Sequence, residues 1–252
     1  MLIQNLRQTD SASAKLKILI LYVLVVLVIA GLFYAIPQFA LWLFILYSAY
    51  HFGEQHWVGR LSDTSPLVQF YFLAYGFLIL FMLFYLHAQE VSIIMKEITG
   101  KEVPIKIFEV GFWLSAASFG VLSLFLFRGI LLLKLLPIEL LLLGIFWIVF
   151  KTASLLWAFA IYFILWHAIP SLLDQIKILY GTANRENGRK YLSSAALYWI
   201  AALISLSAAY ILFNDPSYGF VSIFFSFLAA ITFPHVIVIS RFLSRSGSVD
   251  KP

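Results

Sequence analysis

The stretch Ser48-Ala49-Tyr50-His51-Phe52-Gly53-Glu54-Gln55-His56-Trp57 decides how this chain is read. It fills the inner half of an apolar segment that opens near Phe39. Two imidazoles, a carboxylate and a carboxamide are therefore embedded in what otherwise reads as a membrane-spanning helix. Polar groups are expensive in hydrocarbon and face a protein interior there, so the stretch marks a functional site. A helix end reaching the headgroup layer accounts for His56. It does not account for His51, five residues deeper at about 1.5 Å per residue.

The composition around this stretch excludes a water-soluble fold. Of the 252 residues, 63% are hydrophobic and 12% charged, and mean hydropathy is +0.97. Apolar surface on that scale aggregates in water, so the expected class is an all-α, polytopic integral membrane protein. Net charge is +5 and the pI is near 9.3. The basic residues lie between apolar segments, so they read as topology signals and not as a nucleic-acid face. The chain has no cysteine, which excludes disulfides, thiolate metal sites and a cysteine nucleophile. Aromatic residues reach 18%, more than interfacial belts alone require.

Taken in order, residues 1–16 form a polar cytoplasmic tail, 17–243 a single transmembrane helical domain and 244–252 a second polar tail. The apolar run after the tail is long enough to span and has no small-residue cleavage site behind it, so it is not a signal peptide. Eight spans are expected: 17–36, 39–57, 67–87, 105–127, 129–150, 152–180, 191–213 and 218–243. Each has roughly 20 residues or more, as a hydrocarbon core of about 30 Å demands. Residues 89–104 form the longest polar connection and are partly amphipathic. Basic residues concentrate in loops that are internal if the N-terminus is internal, which places both termini in the cytoplasm; the expected location is the inner (plasma) membrane, as a multi-pass protein. Lys134 and Glu139 flank Pro137 in the fifth span and read as a local pair at a kink, with a transport role as the alternative.

Depth then selects which histidines can meet. Helices two, six and eight run in the same direction, and His51, His56, His167 and His235 lie roughly 18, 26, 22 and 26 Å from their outer ends. Four imidazoles from three helices thus share one layer, while His87 falls at the opposite interface. A lone intramembrane His is a packing residue; several at one depth point to a metal, since imidazole is the commonest metal ligand. Imidazole sites without thiolate suit Zn, Cu, Fe or Ni. Hydrolytic zinc requires a carboxylate base, for which Glu54 or Asp174 is available, but little in the walls would hold a polar substrate. Iron, open to dioxygen, suits oxidation of an apolar substrate arriving from the lipid. Pro170 and Pro234 each free one helical carbonyl beside a histidine. His167, Ser171 and Asp174 share a face of the sixth helix, and Asp174 is placed either to orient His56 from behind or to form a structural pair with it. Ser171 and Glu54 are the other candidates for such supporting contacts.

With these motifs assembled, the chain resembles the Brp/Blh family of membrane carotene dioxygenases. The resemblance rests on His51-Phe52-Gly53 within Ser-Ala-Tyr-His-Phe-Gly, on Trp166-His167 and on Pro234-His235, in order along nearly the whole chain. It implies cleavage of the central double bond of β-carotene by dioxygen at a histidine-bound Fe(2+), giving retinal, with retinal passed on to a rhodopsin as a possible fate. His51, His167 and His235 become the expected ligands and catalytic residues, with His56 as a fourth. Trp57, Trp166 and Phe233 flank them and either line a polyene tunnel, where ring faces stabilise positive charge on the polyene, or pack the core. Two departures stand out. Family members begin with a helix carrying a His-Gly-x-x-Asp motif that is not seen ahead of Met1, and many carry His at the position of Ser171 and Asp at that of His56. Weak iron binding and slow or absent cleavage are therefore expected of this chain alone, with activity restored by the family's first helix.

The competing reading is a non-enzymatic carotenoid- or haem-holding protein, or an inactive relic of the family. Haem would use two facing histidines as axial ligands. A transporter would show a repeat and broken helices in matching halves, and a desaturase-type hydroxylase clustered HxxHH boxes; neither is present.

Overall fold

A computed structural model of the protein describes residues 12–61, 65–126, 130–212, 220 and 222–233. Every element among them is helical: α1 (Ala12–Ala35), α2 (Pro37–Trp57), α3 (Pro66–Leu86), α4 (Ala88–Thr99), α5 (Lys106–Leu126), α6 (Ile130–Thr152), α7 (Leu155–Tyr162), a π-helical turn (Phe163–Ala168), α8 (Ile169–Tyr180) and α9 (Arg185–Leu212). A shorter apolar helix, α10, covers Ser222–Phe233. Prolines open α2 and α3, where the missing N–H would have had no intrahelical partner anyway.

Five helical stretches are long and apolar enough to cross a membrane: Pro66–Leu86, Lys106–Leu126, Lys134–Thr152, Leu155–Tyr180 and Arg185–Leu212. This is a membrane protein. Of the other three expected spans, α1 has a described apolar stretch of Ile20–Ala35 and α10 one of Ser222–Phe233, both shorter than a full crossing. In α2 the polar residues of the His51–His56 stretch hold the hydropathy down. The connection at 89–104 contains α4, whose Val91 and Met95 are buried while Ile93 is exposed.

The chain divides into two compact units, one of Trp42–Lys96 with Gly100–Ser171 and the other of Met1–Leu41, Glu97–Thr99 and Leu172–Pro252. In the first, α3 is the most buried of the five spans and packs chiefly on α5 and α6. Tyr71, Tyr75, Ile79, Phe108, Phe146 and Phe150 form its innermost layer. Glycine sets the distance between α2 and α3. A Cβ added at Gly53 would lie 1.8 Å from the Phe72 carbonyl oxygen, and one at Gly76 would lie 1.7 Å from that of Ala49. The backbones therefore touch, the close approach that small residues allow between helices in lipid. In the second unit Ile176, Tyr191 and Ala195 form a small core with Leu172, Leu179 and Tyr180 against it. Tyr191 donates its hydroxyl to Gln175 Oε1 at 2.8 Å.

Candidate metal centre

Helix α2 presents polar side chains in two directions, and its geometry explains why. His51 and Gln55 are four residues apart and share a face, whereas His56, five residues from His51, lies roughly 140° around the helix. The first face looks onto the π turn. There the N–H of Ile169 reaches back five residues to the Ile164 carbonyl. The widened turn buries His167 while Ile164 and Leu165 remain exposed. Such single π turns inside helices occur frequently at functional sites.

His51 and His167 are both buried, with ring centres 5.0 Å apart and planes at 80°. Phe52 and Phe163 flank His167 at 4.9 and 5.0 Å, and Tyr162 packs on Phe52 at 5.6 Å. Gln55 donates from Nε2 to the His167 carbonyl oxygen at 2.9 Å. Glu54 accepts from the Tyr50 hydroxyl at 3.4 Å, and its other oxygen lies 3.9 Å from His51 Nδ1. That oxygen and Gln55 Oε1 are buried and accept no hydrogen bond among the described residues. The pair thus stands in an aromatic cage with surplus acceptor atoms beside it, an environment that favours a cation.

The spacing of the rings also fits a metal. Two imidazoles that grip one ion through nitrogens about 2.1 Å away have ring centres roughly 5 Å apart when the bonds meet between a right and a tetrahedral angle. The ring separation of His51 and His167 is compatible with two positions around an ion, as it is with edge-to-face packing. Among the described residues no group of three or more His, Cys, Asp and Glu side chains is arranged to hold one. His235 and Pro234, expected at the same layer, lie outside the described residues.

The second face of α2 carries a different constellation. Glu139 of α6 is completely buried, and its Oε2 is 2.8 Å from His56 Nε2. Arg60 donates to Oε1 of the same carboxylate, and the Tyr75 hydroxyl to Oε2 at 3.4 Å. His56 also stacks on Tyr75, ring centres 4.6 Å apart. The structure does not bring His56 to the imidazole pair. It corrects two expectations. Glu139 is bonded to Arg60 and His56 and is not the partner of Lys134, which is exposed. The carboxylate at His56 is Glu139, while Asp174 is exposed and takes Lys177 at 3.3 Å.

The remaining candidates are dispersed. Trp57 is fully buried, edge-on to Tyr71 at 5.0 Å, with Arg60 over its ring at 5.4 Å. It packs the core. Trp166 meets Phe146 at 4.8 Å, Phe233 is buried in the second unit, and Ser171 is half-buried. His87 lies elsewhere, its Nε2 2.7 Å from the Phe150 carbonyl oxygen. Sequence reasoning placed the Gln55 carboxamide in the site stretch without a role, and missed Tyr75, Arg60 and the true role of Glu139. The available signal was Glu139 itself, an acid in an apolar span that must find a buried donor.

No curated protein and no solved structure matches the chain. A family model described as beta-carotene 15,15′-dioxygenase matches residues 1–243, nearly the full length. On that match, and with a buried imidazole pair in an aromatic membrane bundle, the chain belongs to the beta-carotene 15,15′-dioxygenase family.

Proposed function

We propose that this protein cleaves the central double bond of β-carotene with dioxygen at an iron ion held by His51, His167 and His235. The observation that carries the reading is the His51–His167 pair, 5.0 Å between ring centres, buried among Phe52, Phe163 and Tyr162 in a chain of this family. When bound, iron supplies the redox chemistry through which dioxygen reacts with a polyene. The reaction balances without further reagents: one carbon–carbon double bond breaks, and each oxygen atom ends in one of two retinal aldehydes. The chain's own contribution is placement and exclusion. Phe52 and Phe163 keep water from the imidazoles and offer ring faces to an apolar substrate, and neutral imidazoles leave the ion's charge intact. The substrate enters from the lipid, and retinal leaves by the same phase to a retinal-binding protein such as a rhodopsin. The proposed topology has eight crossing helices with both termini in the cytoplasm, in the plasma membrane.

Metal analysis of purified protein tests the site. Iron is expected in the wild-type chain and in His87→Ala, and is expected to fall sharply in His51→Ala, His167→Ala and His235→Ala. Equal iron in all these variants contradicts the assignment.

A further inference from the structure

We infer that Gln55 is a positioning residue, whose carboxamide fixes the backbone of the π turn from which His167 projects. The inference rests on the reading that His51 and His167 hold the metal, and it concerns what sets their separation.

A π turn is a weakly determined piece of backbone. Its bonds reach back five residues, as from Ile169 to Ile164, and one residue more or fewer in the turn would rotate His167 by about 100°. Metal ligands have to be held within about 0.5 Å by their surroundings. The Gln55 Nε2 bond to the His167 carbonyl, at 2.9 Å, acts on the very residue whose side chain must be aimed. Gln55 also sits one helical turn beyond His51, on the same face of α2. One rigid helix therefore carries the first imidazole and grips the backbone of the second.

The rest of the carboxamide points to position and not to bulk stability. Its Oε1 is buried and accepts no hydrogen bond among the described residues. A buried polar atom left unsatisfied costs free energy. A methionine of similar length would fill the same space without that cost, yet could not hold the carbonyl. Glutamate would keep the shape but lose the donor, setting an anionic oxygen against a carbonyl oxygen.

The test is a Co2+ titration of the purified full chain in detergent, read by affinity and by the visible absorption of the bound ion. It compares wild type, His167→Ala, Gln55→Met, Gln55→Glu and Ser92→Ala. The last removes a side-chain-to-backbone bond of the same kind, Ser92 Oγ to the Val103 carbonyl at 2.8 Å, away from the site. Melting temperature is measured without metal for each. The expected result is affinity 10–100-fold weaker in both Gln55 variants, the usual loss for a residue supporting a ligand. An altered Co2+ spectrum should accompany it, with melting no lower than in Ser92→Ala. Wild-type affinity in both Gln55 variants, while His167→Ala loses the ion, overturns the inference and leaves the metal reading standing. A loss that Ser92→Ala shares in proportion to lowered melting overturns it as well. Equal binding by wild type and His167→Ala sinks the metal reading and this inference together.

Discussion

Glu139 and His51 have the same problem, a polar group in a hydrophobic layer, and solve it differently. Glu139 gathers Arg60, His56 and Tyr75 around one carboxylate, whereas His51 faces a second imidazole across an aromatic cage. Removing the carboxylate leaves a guanidinium and an imidazole without their anion. Glu139→Leu should therefore destabilise the protein by about 1–3 kcal/mol, the cost of leaving the donors at His56 and Tyr75 unsatisfied while exposed Arg60 is resolvated. Denaturant unfolding in detergent measures this. Lys134→Leu, at an exposed position, should stay within about 0.5 kcal/mol of wild type. The meeting of His51 and His167 was accessible from sequence: their depths place them in one layer, and the structure sets the two rings side by side. The Lys134–Glu139 pairing and the placing of His56 with His51 fail for one geometric reason. Lys134 and Glu139, like His51 and His56, are five residues apart, a spacing that points side chains roughly 140° away from each other. Residues so spaced do not face one another, which separates Glu139 from Lys134 and His56 from His51.

At the scale of elements, the His-Phe-Gly motif carries two functions in adjacent residues. His51 belongs to the imidazole pair, and Gly53 lets α2 lie directly on α3 beside it. Gly53→Ala puts a methyl carbon within 1.8 Å of a backbone oxygen that cannot move aside alone. The helices must part, at a cost of about 1–3 kcal/mol or more, and His51 moves with α2. Gly59→Ala meets open space and serves as the control. Comparing unfolding midpoints and bound metal in the two variants checks this; equal behaviour would mean that the crossing is not tight. The helices themselves were legible from apolar length, with starts displaced by only one or two residues where Pro37 and Pro66 fix them. The π turn was not. Pro170 announces a disturbed ladder near His167, but an inserted residue leaves no trace in a helix that is apolar on every side. Periodicity needs a polar face to be read against.

For the molecule as a whole, the interior is apolar as in a soluble protein, and the outer surface is apolar too. Large apolar side chains such as Leu114, Leu141, Ile148, Trp157 and Leu203 are exposed, and Glu139 is the one buried acid among the described residues. This suits a solvent of lipid tails, where packing and polar contacts take over from the hydrophobic effect. The proposed orientation is open to a direct check, since the chain has no cysteine of its own. Single cysteines at Ala183 and Lys101, both exposed, should respectively resist and accept an impermeant thiol reagent in intact cells. The opposite pattern would invert the topology. The most direct test of the central claim is retinal formation in cells that make β-carotene, measured by chromatography at matched protein levels. The account predicts the same retinal yield, however low, from the wild-type chain and from His87→Ala, and its loss with His51→Ala or His167→Ala. Retinal from either of those two variants at the level the wild-type chain forms would contradict it.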